Sequence, residues 1–370
     1  MSDTLCSATQ AFQRAMPMSR LLDCGMDFSD AQALFRRTSA GEAWDQVAEA
    51  LAQAQLERAT QAAQAGCRVT AVEAQACALA NLLFAQMAFN YDNSRKRTLY
   101  DRLATATSQL CAWSEGRMAR VELPFAHGHL VAWLVRPAAR QARGTVLLFG
   151  GQSGWGVAYL PIARALARRG LATLLAEGPG QGETRMRQGL LVDVDMAAAY
   201  SRFIDFIASD TTLGAPGIWG NSVGGLWAAR TAAADGRIQA CCVNGGLAAP
   251  VLLPFRTFVE QAGAMLGSDD AAAIAENFRR MSFDPERDRI ACPLLVLHGA
   301  ADPLVKPQDL QPFLAGADSR DASLRVWADG EHTLYNHASE RTAFVADWFV
   351  RRLDAGSAPS SLSRERADGC

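Results

Sequence analysis

The sequence offers little that would suit a metal ion, a nucleic acid or a membrane. Its nine cysteines are scattered and contain no Cys-x-x-Cys pair, so their spacing encodes neither a zinc site nor a disulfide framework. Cys241 and Cys242 sit in an apolar run and read as buried, reduced thiols of a cytoplasmic protein. No apolar stretch reaches the roughly 20 residues that a membrane span requires, and the first residues lack a charged-then-apolar leader pattern. Neither sign of charge dominates: 36 Lys and Arg stand against 38 Asp and Glu. With a net charge of −2, the composition advertises no basic surface of the kind that nucleic acid or acidic lipid would demand. The glycine-rich loops at 150–156 and 178–182 lack a Gly-Lys-Ser/Thr ending and a Gly-x-Gly-x-x-Gly that opens a helix. Nucleotide binding is therefore not expected, and no other cofactor or metal is implied.

What is present begins at Ile218-Trp-Gly-Asn-Ser-Val-Gly-Gly225. A short apolar run delivers Ser222 inside Gly-x-Ser-x-Gly, and a helix-compatible stretch, 226–234, follows at once. That is the context of a nucleophile elbow, where a serine on a sharp strand-to-helix turn needs small neighbours two residues either side. The same five residues could mark a Gly-rich junction with an incidental serine. The downstream sequence favours the elbow. Pro293 to His298 reads as a buried parallel strand, and Gly299-Ala-Ala-Asp-Pro presents Asp302 on the loop after it. A second strand pattern, 323–327, is followed by Ala328-Asp-Gly-Glu-His, which presents His332. An acid and a histidine thus follow the serine in order, each just past a strand's C-terminal end, where open parallel sheets gather their ligands.

Each residue type answers a chemical need. A serine hydroxyl is a weak nucleophile at neutral pH, and a base must take its proton as it attacks a carbonyl. An imidazole titrates near operating pH and can pass that proton to the leaving group; a carboxylate behind it fixes the tautomer. Asp329 competes with Asp302 as the acid but has no strand end of its own. Of the five histidines, His298 reads as a structural strand-end residue, His127 and His129 as part of a hairpin, and His337 as a helix start. For the oxyanion, the loop Gly150-Gly-Gln-Ser-Gly after the strand 144–149 would bring backbone amides close. The main-chain N–H groups of Gln152 and of Val223 are the candidate donors.

The organisation changes near residue 117. Residues 1–117 read as a helical lobe, in which Ser39-Ala-Gly-Glu42 and Thr70-Ala-Val-Glu73 match the capping box of a helix start. Val72, Ala76, Leu79, Leu83 and Met87 share one helical face, as do Leu99, Leu103, Ala106, Leu110 and Trp113. Such stripes suit packing on a body, with a dimer seam second. From 118 to 354 strands and helices alternate, which implies a mostly parallel sheet covered on both faces. Strands are expected near 121–135 (a hairpin about His127-Gly128), 144–149, 171–176, 217–220, 239–243, 293–298 and 323–327, with helical patterns at 158–169 and 196–208. A helical excursion at about 245–290, with helices over 251–265 and 270–281, would cover the site. Residues 355–370 read as a disordered tail.

These motifs, Gly220-Asn-Ser-Val-Gly, His298-Gly-Ala-Ala-Asp302 and Gly330-Glu-His332, identify the chain as similar to the α/β-hydrolase superfamily. More narrowly, the helical lobe with Phe84-Ala-Gln-Met-Ala-Phe and Lys96-Arg-Thr-Leu-Tyr-Asp resembles a bacterial and fungal group. That group includes 2,6-dihydroxypseudooxynicotine hydrolase, the fungal pigment polyketide-shortening hydrolases and the FrsA-like esterases. The resemblance implies a triad of Ser222, Asp302 and His332, and a pocket between lobe and body for an aromatic or polyketide-like small molecule. It also implies cleavage beside a carbonyl (C–C, ester or thioester) and, by the same analogy, a homodimer. A further carboxylate assists C–C cleavage in the nicotine-degrading relative; here Glu260 and Asp269 lie in the relevant stretch and neither matches uniquely. Trp155, Phe84, Phe89, Tyr91 and Trp227 are candidate wall residues. An acyltransferase or thioesterase of secondary metabolism, or a non-catalytic ligand-binding member of the fold, are the competing expectations.

Overall fold

The computed structural model describes residues 2–152 and 154–354. The expected tail at 355–370 lies outside the described residues. Six helices come first: α1 (Ser2–Ala15), α2 (Met18–Asp23), α3 (Phe28–Ser39), α4 (Trp44–Gln64), α5 (Arg68–Gln86) and α6 (Ser94–Trp113). Both expected capping boxes are absent. Ser39 closes α3 and does not open a helix, and the Glu42 carboxylate grips Arg37, with Nε to Oε1 at 2.8 Å. Thr70 lies inside α5, which already starts at Arg68 behind Cys67. A nearby carboxylate–guanidinium fork is the stronger interaction and takes Glu42 away from the backbone. The stripe on α5 also understates its burial. From Ala78 to Gln86 every residue is buried, because α5 is enclosed by its neighbours on all sides.

The strands are β1 (Met118–Phe125), β2 (Gly128–Val135), β3 (Thr145–Phe149), β4 (Ala172–Glu177), β5 (Pro216–Asn221), β6 (Cys241–Asn244), β7 (Leu294–Gly299) and β8 (Ala322–Trp327). They form one eight-stranded sheet in the order β1-β2-β4-β3-β5-β6-β7-β8. The hairpin β1–β2 and the pair β2–β4 are antiparallel; all other pairs are parallel. Between them run α7 (Leu160–Ala167), α8 (Gly182–Met186), α9 (Ala197–Ser209), α10 (Val223–Ala234), α11 (Arg256–Leu266), α12 (Ala271–Met281) and α13 (Gln311–Ala315), and α14 (Ala338–Leu353) closes the body. The excursion contributes α11 and α12, but residues 251–255 are not helical. Pro254 restricts the residue before it and cannot donate to a helix already under way, so the helix starts only at Arg256. The expected helix at 158–169 opens as a tight turn over Gly156–Tyr159 and becomes α-helical at Leu160.

Alternation along the central strands divides the core. Val146, Leu148, Trp219, Leu295 and Leu297 join one cluster, which continues into the lobe through Leu79, Leu83, Phe84 and Leu103. Leu147, Phe149, Ile218, Leu294 and Val296 face the other side, against Tyr200, Phe203 and Trp227. The six helices thus share a core with one face of the sheet. Polar ties reinforce this join: Tyr100 Oη donates to Glu177 at 2.8 Å, and Arg185 pairs with Asp92 at 2.8 Å. No described helix is long and apolar enough to cross a membrane.

Leu82 on α5 is fully buried in the shared core. Leu82→Ala is expected to cost about 2–5 kcal/mol, read as a lower denaturant midpoint at unchanged slope.

Candidate active site

The parallel strands end along one rim, and the site is built there from three loops. At the end of β5 the chain turns abruptly: Ser222 has φ 57° and ψ −135°, a conformation that a non-glycine residue holds only under compulsion, at roughly 1–3 kcal/mol. The compulsion comes from close packing. A methyl group at Gly220 would overlap the carbonyl of Gly224, which itself lies against Gly150. Those neighbours therefore have to be glycine, and the turn lifts the Ser222 hydroxyl clear of the sheet.

Asp302, after β7, has a fully buried side chain. Its Oδ1 accepts from the N–H groups of Leu304 and Val305, at 2.8 and 3.2 Å. Its Oδ2 lies 2.7 Å from Nδ1 of His332, and Nε2 of His332 lies 3.0 Å from Ser222 Oγ. An ionised carboxylate only accepts, so Nδ1 carries the proton and Nε2 turns its lone pair towards the serine hydroxyl. Neither rival replaces them: Asp329 has another partner, His337 Nε2 at 2.8 Å, and His298 is buried within its strand, β7, where desolvation holds its imidazole below the usual range.

The loop after β3 approaches from the other side. A methyl at Gly151 would sit 2.8 Å from the amide nitrogen of Val223 and 3.0 Å from Ser222 Cβ, so glycine keeps that amide open. Gln181 Nε2 donates to the carbonyls of Gly150 and Gly151, at 2.7 and 2.9 Å. In a trans peptide the next N–H points the opposite way, so this grip directs the Gln152 amide away from Gln181. The Gln152 side chain donates to Phe258 O on α11 at 2.5 Å, tying the loop to the excursion.

Sequence reasoning missed the residues that hold these loops in register. Asn221 Nδ2 donates to Phe149 O at 3.1 Å. Asn244 Nδ2 donates both to Asn221 Oδ1, at 2.8 Å, and to Thr333 O, at 2.9 Å. This amide ladder joins the ends of β3, β5 and β6 to the residue after His332. The available signal was modest: an Asn at the end of each of two adjacent apolar strands, and a Gln within Gly-Pro-Gly-Gln-Gly. Of the wall candidates, Phe84 and Trp227 are core residues, and Tyr91 is exposed beside α11. Trp155 backs the loop after β3, with Lys96 Nζ 5.0 Å from its ring centre. Glu260 pairs with Arg256 and accepts from Asn90 Nδ2 at 2.7 Å; burial raises its pKa, but these bonds outweigh it and hold the carboxyl below its usual range. Asp269 is exposed. A cleft of about 480 Å³ between α5 and α7 is lined by Arg58, Cys77 and Arg164, and by no residue of this rim. Among the described residues no group of three or more His, Cys, Asp or Glu is placed to hold a metal ion.

The strand order and the rim are those of the α/β-hydrolase fold, here with a helical N-terminal lobe. A hydrolase family described as serine aminopeptidase, S33, matches residues 271–339. The crystal structure of 2,6-dihydroxy-pseudo-oxynicotine hydrolase superposes with a TM-score of 0.82 at 23% identity, covering 92% of this chain and 98% of that one. The structure of AbyA5 gives a TM-score of 0.65 at 20% identity, over 82% of this chain and 88% of that one. In sequence, the chain is 27% identical over 217 residues to 2,6-dihydropseudooxynicotine hydrolase of Paenarthrobacter nicotinovorans, covering 57% of this chain and 58% of the relative. The α/β-hydrolase ucsC of an Acremonium species is 34% identical over 164 residues, 39% of this chain and 33% of the relative. The chain therefore spans less than two thirds of the curated relatives it matches, and what it shares with the solved structures is the α/β-hydrolase fold.

Two outcomes follow from this geometry. Gly151→Ala should lower kcat per folded molecule about tenfold or more and also lower the melting temperature, because the added methyl is forced against the backbone at Val223 and Asn221; steady-state kinetics beside a thermal melt would show it. Lys96 is pushed down to about 7, first by burial and then by the Arg185 charge. The unfolded chain therefore binds more protons between about pH 7 and 10, and stability rises with pH across that window. Lys96→Met should raise the melting temperature most below pH 7, and the gain should shrink towards pH 10.

Proposed function

We propose that the protein is a serine hydrolase in which Ser222 attacks a substrate carbonyl, His332 acts as general base and then acid, and Asp302 braces the imidazole. The observation that carries this reading is the unbroken chain from Ser222 Oγ through both ring nitrogens of His332 to Asp302, at 3.0 and 2.7 Å. The main-chain amides of Gln152 and Val223 receive the developing oxyanion, a contribution of roughly 3–4 kcal/mol for one such donor. Attack gives an acyl-Ser222, His332 protonates the departing group, and water, activated by the same imidazole, releases the acid.

The substrate of this reading is an aromatic or polyketide-like small molecule cut beside a carbonyl, at a C–C, ester or thioester bond. The name of one relative, 2,6-dihydropseudooxynicotine hydrolase, supports a small-molecule hydrolase, and the exposed apolar residues Tyr91, Val251 and Phe255 around α11 suit a flat, apolar compound. Cleavage of a C–C bond needs a carbanion stabilised by a second carbonyl or a phenolic ring. Glu260 and Asp269 have no bond to the triad that would assist such a step. Cytoplasmic operation as a homodimer, with the cysteines reduced, completes the proposal; seven of them are free thiols among the described residues.

A fluorophosphonate probe should label Ser222 in the parent protein and leave Ser222→Ala unlabelled. Ser222→Ala and His332→Ala should each reduce turnover by at least a thousandfold with melts within a few degrees of the parent. Product analysis with a matched acyl-phenol ketone and phenyl ester would identify the bond cut. Absence of labelling in the folded parent protein would leave the ligand-binding reading in its place.

A further inference from the structure

We infer that the helical lobe positions the histidine of the triad: Asp23 and Ser19 of α2 hold the loop that carries His332, acting through Arg341 and Glu331. The inference rests on the triad reading above.

The two residues after His332 are the reason such a hold is needed. Thr333 and Leu334 have φ values of 54° and 64°, and neither is glycine. A β-branched threonine in the left-handed region is strongly disfavoured, so this turn keeps its shape only where its surroundings impose it. Two donors converge on one atom to do so. Thr333 O accepts from Asn244 Nδ2 at 2.9 Å and from Arg341 Nη1 at 3.0 Å. Asn244 belongs to the sheet. Arg341 stands on α14, is 1% exposed, and its guanidinium fork faces Asp23 at the end of α2, with Nη2 to Oδ1 at 2.7 Å and Nη1 to Oδ2 at 2.9 Å. The residue before His332 is held by the same helix: Ser19 Oγ donates to Glu331 Oε2 at 2.8 Å. Arg20 lies over the Tyr335 ring at 5.5 Å. One short helix of the lobe therefore grips the loop on both sides of the imidazole.

A plain adhesive role does not call for this arrangement. A buried Arg–Asp pair holds two elements together no better than well-packed apolar side chains of similar size. What the guanidinium adds is geometry: anchored by Asp23, it fixes the carbonyl one residue beyond His332. Asp23, Arg341 and Ser19 touch no reacting atom, and they act through the backbone of the loop as positioning residues.

The paired variant Asp23→Leu with Arg341→Met removes both charges together and leaves neither buried alone. Its melt should stay within a few degrees of the parent. Turnover of p-nitrophenyl butyrate should fall about tenfold in kcat with KM within twofold, and fluorophosphonate labelling of Ser222 should slow in parallel. Ser19→Ala should show the same split at two- to threefold. A merely structural role would reduce the folded fraction and leave kcat per folded molecule unchanged; that result, or an unchanged labelling rate, overturns the inference. Should the pair fail to fold, Arg341→Lys decides. It keeps the charge opposite Asp23 but cannot serve Asp23 and Thr333 O with the same fork, so a lower kcat at unchanged melt supports the inference and an unchanged kcat overturns it. A parent protein that hydrolyses and labels while the variants match it sinks the positioning role alone; a folded parent that never labels sinks the hydrolase reading itself, and this inference with it.

Discussion

The site depends on a single steric constraint, the tight turn that holds Ser222 at positive φ. Such a turn is unfavourable for serine in isolation, and it survives because three backbones meet with no side chains between them. Gly220 touches Gly224, Gly224 touches the Gly150 carbonyl, and Gly151 lies over the Val223 amide. This packing aims the hydroxyl and also brings the Val223 amide beside the loop that carries the Gln152 amide. On the proposed reading, nucleophile and oxyanion donors are therefore consequences of the same contact.

Around that contact, the loops are joined by side-chain amides. Gln181 holds the carbonyls of Gly150 and Gly151, Asn221 holds Phe149, and Asn244 reaches across to the residue after His332. Each bond is modest by itself, but in a buried setting a satisfied network rigidifies what it joins. The site is preorganised in this sense: little has to move for the imidazole to meet the serine, and an electrostatic site gains most when its dipoles are already aimed.

The helical lobe is continuous with the body. Its core merges with one face of the sheet, and its α2 reaches the strained turn that bears His332. A pocket cover needs only to sit above a site, whereas this lobe is also hydrogen-bonded to the site's supporting frame. Loss or movement of the lobe would therefore be felt in the chemistry as well as in binding.

The local sequence determined whatever depends on near neighbours along the chain. Apolar runs bounded by turn residues marked the strands, and Gly-x-Ser-x-Gly with Asp302 and His332 at strand ends marked the rim, since period, chain order and small residues are all written locally. Local reading erred where a distant or stronger partner intervened: Glu42 went to Arg37 and not to a helix start, and Pro254 delayed α11. Strand-end position already favoured Asp302 over Asp329 as the acid, and Asp302 is the one that faces His332; only the tertiary structure decided that Asn221 and Asn244 form a ladder, and that Asp23 meets Arg341 across 318 residues. Pairings of that kind depend on which polar groups the closed core leaves facing one another, and no spacing along the chain encodes that.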